Sequence, residues 1–234
     1  LSVGQPTDDS EMTITLLRSL VKHKKYDRQE VCKSYIVWAN SDMWAMGKNT
    51  RMLFKGIKTI KGYESRMSKV LRTDESERSQ SNGSLMRACS LALLQESEWE
   101  SSCKEDTNLT NPTTVNRECT HLYVKLLRYA LKNKSRKYIL IRLMDRKTTD
   151  SYCDQVKQVV AHALGDEYRD ITVERGWVLH SLWATIRALS LFDNYSEAIE
   201  WCVTNQPRCD TDTNACIAGA LFGAIYGFKT LMTD

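Results

Sequence analysis

The sequence has few helix-breaking residues and lacks the marks of a membrane or secreted protein. It contains only three prolines and ten glycines in 234 residues, so long helices are possible. Its longest apolar stretch, residues 215–228, is shorter than the roughly 20 residues that span a bilayer and is expected to form a buried helix. The first residues lack the charged, apolar and small-residue succession of a signal peptide. These absences predict a cytoplasmic protein without a membrane partner.

Several kinds of catalytic site also lack their sequence signatures. The eight cysteines form no C-x-x-C pair, and several lie among apolar helical residues, which favours reduced, buried thiols. The four histidines show no H-E-x-x-H spacing, so a zinc site is disfavoured. No phosphate loop is present to support nucleoside triphosphate hydrolysis, and no local signature marks a cysteine–histidine nucleophile. The net charge of +4 is small and scattered, so a nucleic-acid partner is not expected.

Apolar residues recur at helical spacing along most of the chain, and no alternating run is long enough to predict a strand. The sequence therefore predicts a single all-α domain. Residues 58–80 are rich in Lys, Arg, Ser, Glu and Asp and are expected to form an exposed loop or flap, and residues 96–111 a polar connection. Helices are predicted after Asp9-Ser10 and at about 31–38, 52–57, 85–94, 115–132, 138–145, 152–164, 176–190, 196–203 and 213–226.

The last predicted helix carries Gly219, Gly223 and Gly227 four residues apart. Residues at this spacing share one face of a helix, so that face is almost bare backbone. Each interior glycine costs about 1 kcal/mol relative to alanine, which implies that something requires the small face. Close packing against a neighbouring helix is the favoured interpretation, and a direct ligand role is the alternative.

Two clusters of aspartate and threonine lie near opposite ends of the chain, at residues 7–9 (Thr-Asp-Asp) and 210–213 (Asp-Thr-Asp-Thr). Each cluster taken alone is typical of a helix cap. If the two clusters converge, their carboxylates repel one another unless cations are present. Carboxylate and hydroxyl oxygens suit Mg²⁺ or Mn²⁺. The pair of clusters therefore predicts a site for divalent metal if they converge, and capping of two separate helices is the alternative.

Residues 4–12, GQPTDDSEM, resemble the G-x-x-T-D-D-T/S-x-M motif of the ADP-ribosylglycohydrolases. Residues 210–220, DTDTNACIAGA, are similar to the C-terminal G-D-T-D-T-x-A-x-I-A-G-A signature of the same family. Three weaker features agree in order, namely Tyr35 and Trp38 ahead of residues 47–50, the segment SNGSLMR at 81–87, and residues 176–178 before a helix. The resemblance covers essentially the whole chain.

The resemblance implies an all-α fold with a central site for two Mg²⁺ or Mn²⁺ ions. It implies a metal-dependent hydrolase that cleaves the bond at the anomeric ribose carbon, releasing ADP-ribose from a modified protein side chain or a small molecule. Asp8 or Asp9 would manage the proton. Substrate would be contacted by Gly47, Asn82, Gly83, Ser84 and Asn111, and the metal ligands would be Thr7, Asp8, Asp9, Asp210, Asp212 and Thr213.

The sequence also departs from the family pattern. The chain begins after the position of the family's N-terminal segment, which carries a glutamate near the scissile bond. A Leu-Thr-His-Pro motif occurs here with Asn111 in place of histidine, and Arg208-Cys209 replaces a glycine pair. Two alternatives are therefore kept. One is a relative that binds ADP-ribose without turnover or has a structural role, and the other is a hydrolase of a different nucleotide-like glycoside. A monomer is expected.

Overall fold

The computed structural model describes residues 4–43, 45–132, 135–165, 167–205 and 208–228. Within these ranges the chain is helical and contains no strand, and a single isolated bridge pairs Ser81 with Trp177. The all-α prediction is confirmed. The α-helices are α1 (Asp8–His23), α2 (Arg28–Ala39), α3 (Lys48–Phe54), α4 (Ile60–Leu71), α5 (Trp99–Asn108), α6 (Thr114–Leu131), α7 (Arg136–Met144), α8 (Asp154–Leu164), α9 (Val178–Leu191), α10 (Tyr195–Thr204) and α11 (Thr211–Tyr226).

The prediction of an exposed loop over residues 58–80 was wrong, because α4 occupies its first half. Tyr63 and Met67 are buried one turn apart, and Ile60 and Val70 extend the same face. The hydroxyl of Thr59 accepts a hydrogen bond from the Gly62 amide and caps the helix start. Four apolar residues are enough to dock this helix, although the surrounding charged residues hide their spacing in the sequence.

The predicted polar connection at residues 96–111 also contains a helix, α5. This helix buries Trp99 and Cys103 at i, i+4 spacing together with the polar residues Asp106 and Thr107. Its buried face is therefore partly polar, which conceals it from a pattern of apolar residues.

The helix predicted at residues 85–94 is replaced by 3-10 turns at Asn82–Ser84 and Ala88–Leu93. The carbonyl of Gly83 accepts a hydrogen bond from the Arg87 guanidinium at 2.5 Å. In an α-helix that carbonyl would accept from the backbone amide of residue 87. Here the carbonyl accepts from a buried side chain at a point where the backbone is not α-helical.

Helix α11 packs on α6, α9 and α10 in the core of the molecule. The Tyr123 hydroxyl of α6 donates to the Ile217 carbonyl of α11 at 3.0 Å. A Cβ atom added at Gly219 would lie 3.3 Å from the Tyr195 hydroxyl and 3.4 Å from Cδ1 of Ile199, both on α10. At this position the glycine face serves helix packing, as the sequence suggested. No described helix combines the length and the apolar character needed to cross a membrane.

Candidate active site

The first aspartate cluster lies at the start of α1. Thr7 occupies the N-cap position but makes no capping hydrogen bond, and its hydroxyl donates to Oδ2 of Asp9 at 2.7 Å. Asp9 is only 1% exposed, and its Oδ1 atom has no hydrogen-bond partner among the described residues. Burial raises the pKa of Asp9, and the hydroxyls of Thr7 and Thr213 offset part of that rise. These contacts favour a functional role for the cluster over a capping role.

Asp8 is half-buried and faces a large cleft. Its Oδ2 atom accepts a hydrogen bond from the Gly47 amide at 3.0 Å, which ties the segment ahead of α3 to the start of α1. Burial raises the pKa of the Asp8 carboxyl, the bond from Gly47 lowers it, and the negative charges of Asp212 and Glu11 raise it further.

The second cluster begins α11, with Asp210 at the N-cap position and again no capping hydrogen bond. Instead, Oδ2 of Asp210 accepts a hydrogen bond from Nδ2 of Asn82 at 2.7 Å. Burial raises the pKa of Asp210 to about 6, with further increases from the carboxylates of Asp212 and Asp9, while the bond from Asn82 opposes the rise. A carboxyl among other carboxyls is costly to ionise.

The two clusters meet although about 200 residues separate them in the sequence. The charge of Asp212 acts on both Asp8 and Asp9, and Asp9 acts on Asp210. Within the described ranges, however, no three Asp, Glu, His or Cys side chains are grouped tightly enough to hold a metal ion by themselves. The ligand set implied by the family motifs differs from such a group, since it includes two threonine hydroxyls and is split between two helix starts.

A cleft of about 1020 Å³ opens over these residues. The cleft is lined by carboxylates of both clusters and by residues of α3, α4 and the segment leading to the 3-10 turns. Its other charged lining residues are Lys48, Lys69, Glu77 and Arg78, and its apolar lining includes Met46, Met52 and Val70. The lining therefore carries both acidic and basic groups beside apolar side chains. Its lining includes Asp8, Gly47, Asn49, Thr50, Ser79, Ser81, Asn82, Gly83, Gly176, Asp210, Asp212 and Thr213.

The residues predicted to contact substrate separate into two groups. Gly47, Asn82 and Gly83 line the cleft. Ser84 and Asn111 are completely buried behind it and are absent from its lining. The Asn111 amide instead donates to the Ser79 carbonyl and the Ser81 hydroxyl, each at 3.0 Å. Asn111 therefore supports the loop that forms the cleft wall, and its direct contact with substrate stays a prediction.

The sequence did not single out Ser181 or the ion pair between Arg87 and Asp106 as parts of the site. Ser181 is buried on α9 and contacts Asn82, and Arg87 holds the carbonyl of Gly83 from behind the cleft. A serine in an apolar helix has no distinctive local pattern. Arg87 offered a stronger signal, because an arginine within the apolar run 85–94 requires a buried partner.

Cysteine and histidine chemistry receives no support from the geometry. All eight cysteines are free, and none of them lines the cleft. Cys216 lies near Asp9, and burial raises the pKa of its thiol to about 12, which keeps it protonated at neutral pH. The four histidines all fall within the described ranges, and none of them lines the cleft.

Comparison with known proteins gives a consistent family. The family model described as ADP-ribosylglycohydrolase matches residues 2–234. A protein of Acanthamoeba polyphaga mimivirus named "Putative ADP-ribosyl glycohydrolase L543" is 28% identical over 248 aligned positions, which cover 97% of this chain and 72% of the viral protein. A solved structure described as "ADP-ribosylglycohydrolase-related protein complex" has the same fold, with a TM-score of 0.78 at 22% identity over 97% of this chain and 74% of that chain. The chain belongs to the ADP-ribosylglycohydrolase family.

Proposed function

We propose that the protein is a metal-dependent hydrolase that releases ADP-ribose from a modified protein side chain or a related acceptor. The observation that carries the proposal is the meeting of the two family motifs at a large cleft. Membership of the family supports ADP-ribose hydrolysis in general. A volume of about 1020 Å³ is ample for a ligand of this size.

The chemistry of the site fits divalent metal ions. Its donors are carboxylate and hydroxyl oxygens, which suit Mg²⁺ and Mn²⁺. Oδ1 of Asp9 is buried without a partner among the described residues, and such an atom is expensive unless a cation or donor meets it. In this proposal the ligands of two ions are Thr7, Asp8, Asp9, Asp210, Asp212 and Thr213. When bound, the ions would supply positive charge that lowers the pKa of a water molecule.

The protein's own groups then orient the substrate and move the proton. Asp8 lines the cleft whereas Asp9 does not, so Asp8 is the better placed of the two to accept a proton from the attacking water. The oxygen of that water would bond to the anomeric ribose carbon as the bond to the acceptor breaks, and the proton taken by Asp8 would pass to the leaving acceptor. The Gly83 backbone lines the cleft without a side chain, which allows close approach of the ribose and phosphates.

The proposal is tested by incubating the chain with Mg²⁺ or Mn²⁺ and following ADP-ribose release. The substrates are proteins carrying ADP-ribose on arginine or on serine, together with ADP-ribose-containing small molecules. We expect metal-dependent release from at least one substrate and a loss of about 10²-fold or more in Asp8→Asn and Asp212→Asn. Asp150→Asn, which changes an exposed carboxylate, is the matched control and should retain full activity.

The outcomes separate the alternatives. Binding of ADP-ribose without release from any substrate would favour a relative that binds without turnover. Release that persists in a chelator, or in both active-site variants, would contradict the metal-dependent mechanism.

A further inference from the structure

The side chain of Asn82 joins the cleft wall to the second aspartate cluster. Its Nδ2 atom donates to Oδ2 of Asp210 at 2.7 Å and to Oγ of Ser181 at 3.0 Å. An amide nitrogen carries two hydrogens, so both donors are used by protein acceptors. Asn82 therefore has no amide hydrogen left for a ligand, although it lies in the lining of the cleft.

The segment that carries Asn82 is fastened to the start of α9. The backbone amide of Asn82 donates to the Gly176 carbonyl at 2.8 Å, and the backbone amide of Val178 donates to the Gln80 carbonyl at 2.9 Å. The indole of Trp177 adds a third bond to the Gln80 side chain at 2.9 Å. These bonds fix the distance between Asn82 and Ser181, which lies one turn into α9 and is completely buried.

Gly176 lies beside the Asp210 carboxylate and the Asn82 side chain. A Cβ atom added at this position would lie 3.7 Å from Oδ2 of Asp210 and 3.9 Å from Oδ1 of Asn82. The backbone of residue 176 therefore borders directly on the contact between Asp210 and Asn82. The Asp210 carboxylate is held by the side-chain amide of Asn82. That amide is held in turn by the Ser181 hydroxyl and by the backbone bonds of its own segment.

We propose that Ser181 and Asn82 are positioning residues that fix the Asp210 carboxylate for a divalent metal ion. The inference rests on the proposed function, because it assigns Asp210 to the metal site. Hydrogen bonds to a ligating carboxylate set its orientation, and their loss typically costs about 10- to 100-fold in metal affinity. Ser181 acts through Asn82, so its effect should depend on the amide.

The test measures Mn²⁺ affinity directly, from the electron paramagnetic resonance signal of free Mn²⁺ during titration of the metal-free protein. We expect Asn82→Leu, which keeps the branching at Cγ but removes both donors, to weaken Mn²⁺ binding about 10-fold or more. Ser181→Ala should weaken it by a smaller factor, about 3- to 10-fold. In the Asn82→Leu background, Ser181→Ala should have no further effect, because the two residues act in series.

Thr185→Val is the matched control for loss of a buried hydroxyl. Thr185 lies one turn beyond Ser181 on the same helix, is also completely buried, and donates only to the Ser181 carbonyl. This variant should bind Mn²⁺ like the wild type. Thermal unfolding of each variant identifies any general loss of structure.

Three results would overturn all or part of the inference in distinguishable ways. If the wild type binds Mn²⁺ and Asn82→Leu and Ser181→Ala bind it equally well, the positioning role is wrong and the proposed function stands. If the wild type binds no Mn²⁺, both the inference and the metal dependence of the proposed function fail. Equal, additive losses from Ser181→Ala in both backgrounds would assign Ser181 a structural role only.

Discussion

The Arg87–Asp106 pair and the acidic cluster, of which Asp9 is buried, Asp8 and Asp210 are partly buried and Asp212 is exposed, meet the cost of burial in opposite ways. Arg87 and Asp106 form an ion pair with no exposure at all, and four hydrogen bonds from the guanidinium and one from Tyr35 satisfy it. The acidic cluster holds carboxylates of like charge, and Oδ1 of Asp9 lacks a partner within the described residues. The pair is complete without a ligand, whereas the cluster is suited to receive one.

The ion pair also supports the cleft, because Arg87 holds the carbonyl of Gly83. The ring of Tyr35 packs against the Arg87 guanidinium, whose Cζ atom lies 4.9 Å from the ring centroid. One buried network thus fixes the position of a cleft-lining residue. The comparison predicts that changes in the pair act mainly on stability and changes in the cluster mainly on function.

Arg87→Met should give the largest loss of stability. The substitution leaves Asp106 as a buried charge without its cation, and breaking a buried pair in this way costs about 3–5 kcal/mol. The free energy of unfolding, measured by urea denaturation and circular dichroism, should fall by about that amount. A loss below about 1 kcal/mol would contradict the description of Arg87 and Asp106 as a buried, fully hydrogen-bonded ion pair.

Arg87→Met combined with Asp106→Leu separates the two roles of the pair. The double variant no longer buries the Asp106 charge without a cation. Its free energy of unfolding should therefore exceed that of Arg87→Met alone by about 1–2 kcal/mol. The carbonyl of Gly83 still lacks its guanidinium partner, so ADP-ribose affinity, measured by calorimetry, should stay below that of the wild type. Wild-type affinity in the double variant would show that the pair has no influence on the cleft.

Asp210→Asn should have the opposite effect on stability. The pKa of Asp210 is raised to about 6, so the folded state favours the protonated form. The stability that this group contributes is present below its ordinary pKa of 3.8 and is lost as the pH rises through about 6. At pH 7 in a chelator, the neutral amide should raise the free energy of unfolding by about 1 kcal/mol, less than the full shift implies because the site is partly open.

The measurement for Asp210→Asn pairs urea denaturation in chelator with an assay of ADP-ribose release. Greater stability together with loss of release would show that the cluster is maintained for function at a cost in stability. If Asp210→Asn is less stable than the wild type in chelator, the carboxylates do not destabilise the folded protein by repulsion.

The helix starts at the two clusters were predicted better than several elements between them, and the roles of the cluster residues stay predictions. Asp8 and Asp210 each lie where the residue pattern predicts the start of a helix. The family resemblance then implied that the two ends of the chain contribute to one site. Helices α4 and α5 escaped prediction because few apolar residues mark their buried faces. The 3-10 turns near Arg87 accompany a side-chain bond to a backbone carbonyl, a contact formed only by tertiary packing.

The residues that support the cleft wall were equally hard to predict from the sequence. Asn111 is completely buried and supports the loop at Ser79 and Ser81, a role that the sequence did not indicate. The link from Asn82 to Ser181 joins residues 99 positions apart. A single sequence carries no signal for such a pair, because neither residue type is unusual in its local setting.

His180 provides the smallest test of the comparison, because it meets the cost of burial by staying neutral. Its side chain is 5% exposed, its Nδ1 atom has no partner among the described residues, and its ring packs edge-on against Trp177. Burial and then the charge of Arg169 lower its pKa to about 4, with Asp170 acting in the opposite direction. A lowered pKa gives stability that is present above the ordinary value of 6.5 and is lost as the pH falls through about 4.

His180→Phe keeps an aromatic ring against Trp177 and removes the titration. Between pH 7 and pH 4.5 the wild type should therefore lose about 1–2 kcal/mol more stability than the variant does. Urea denaturation of both proteins at the two pH values gives this difference, from which the titration of all other groups cancels. Equal losses in the two proteins would mean that His180 is solvated when protonated and that its burial does not oppose ionisation.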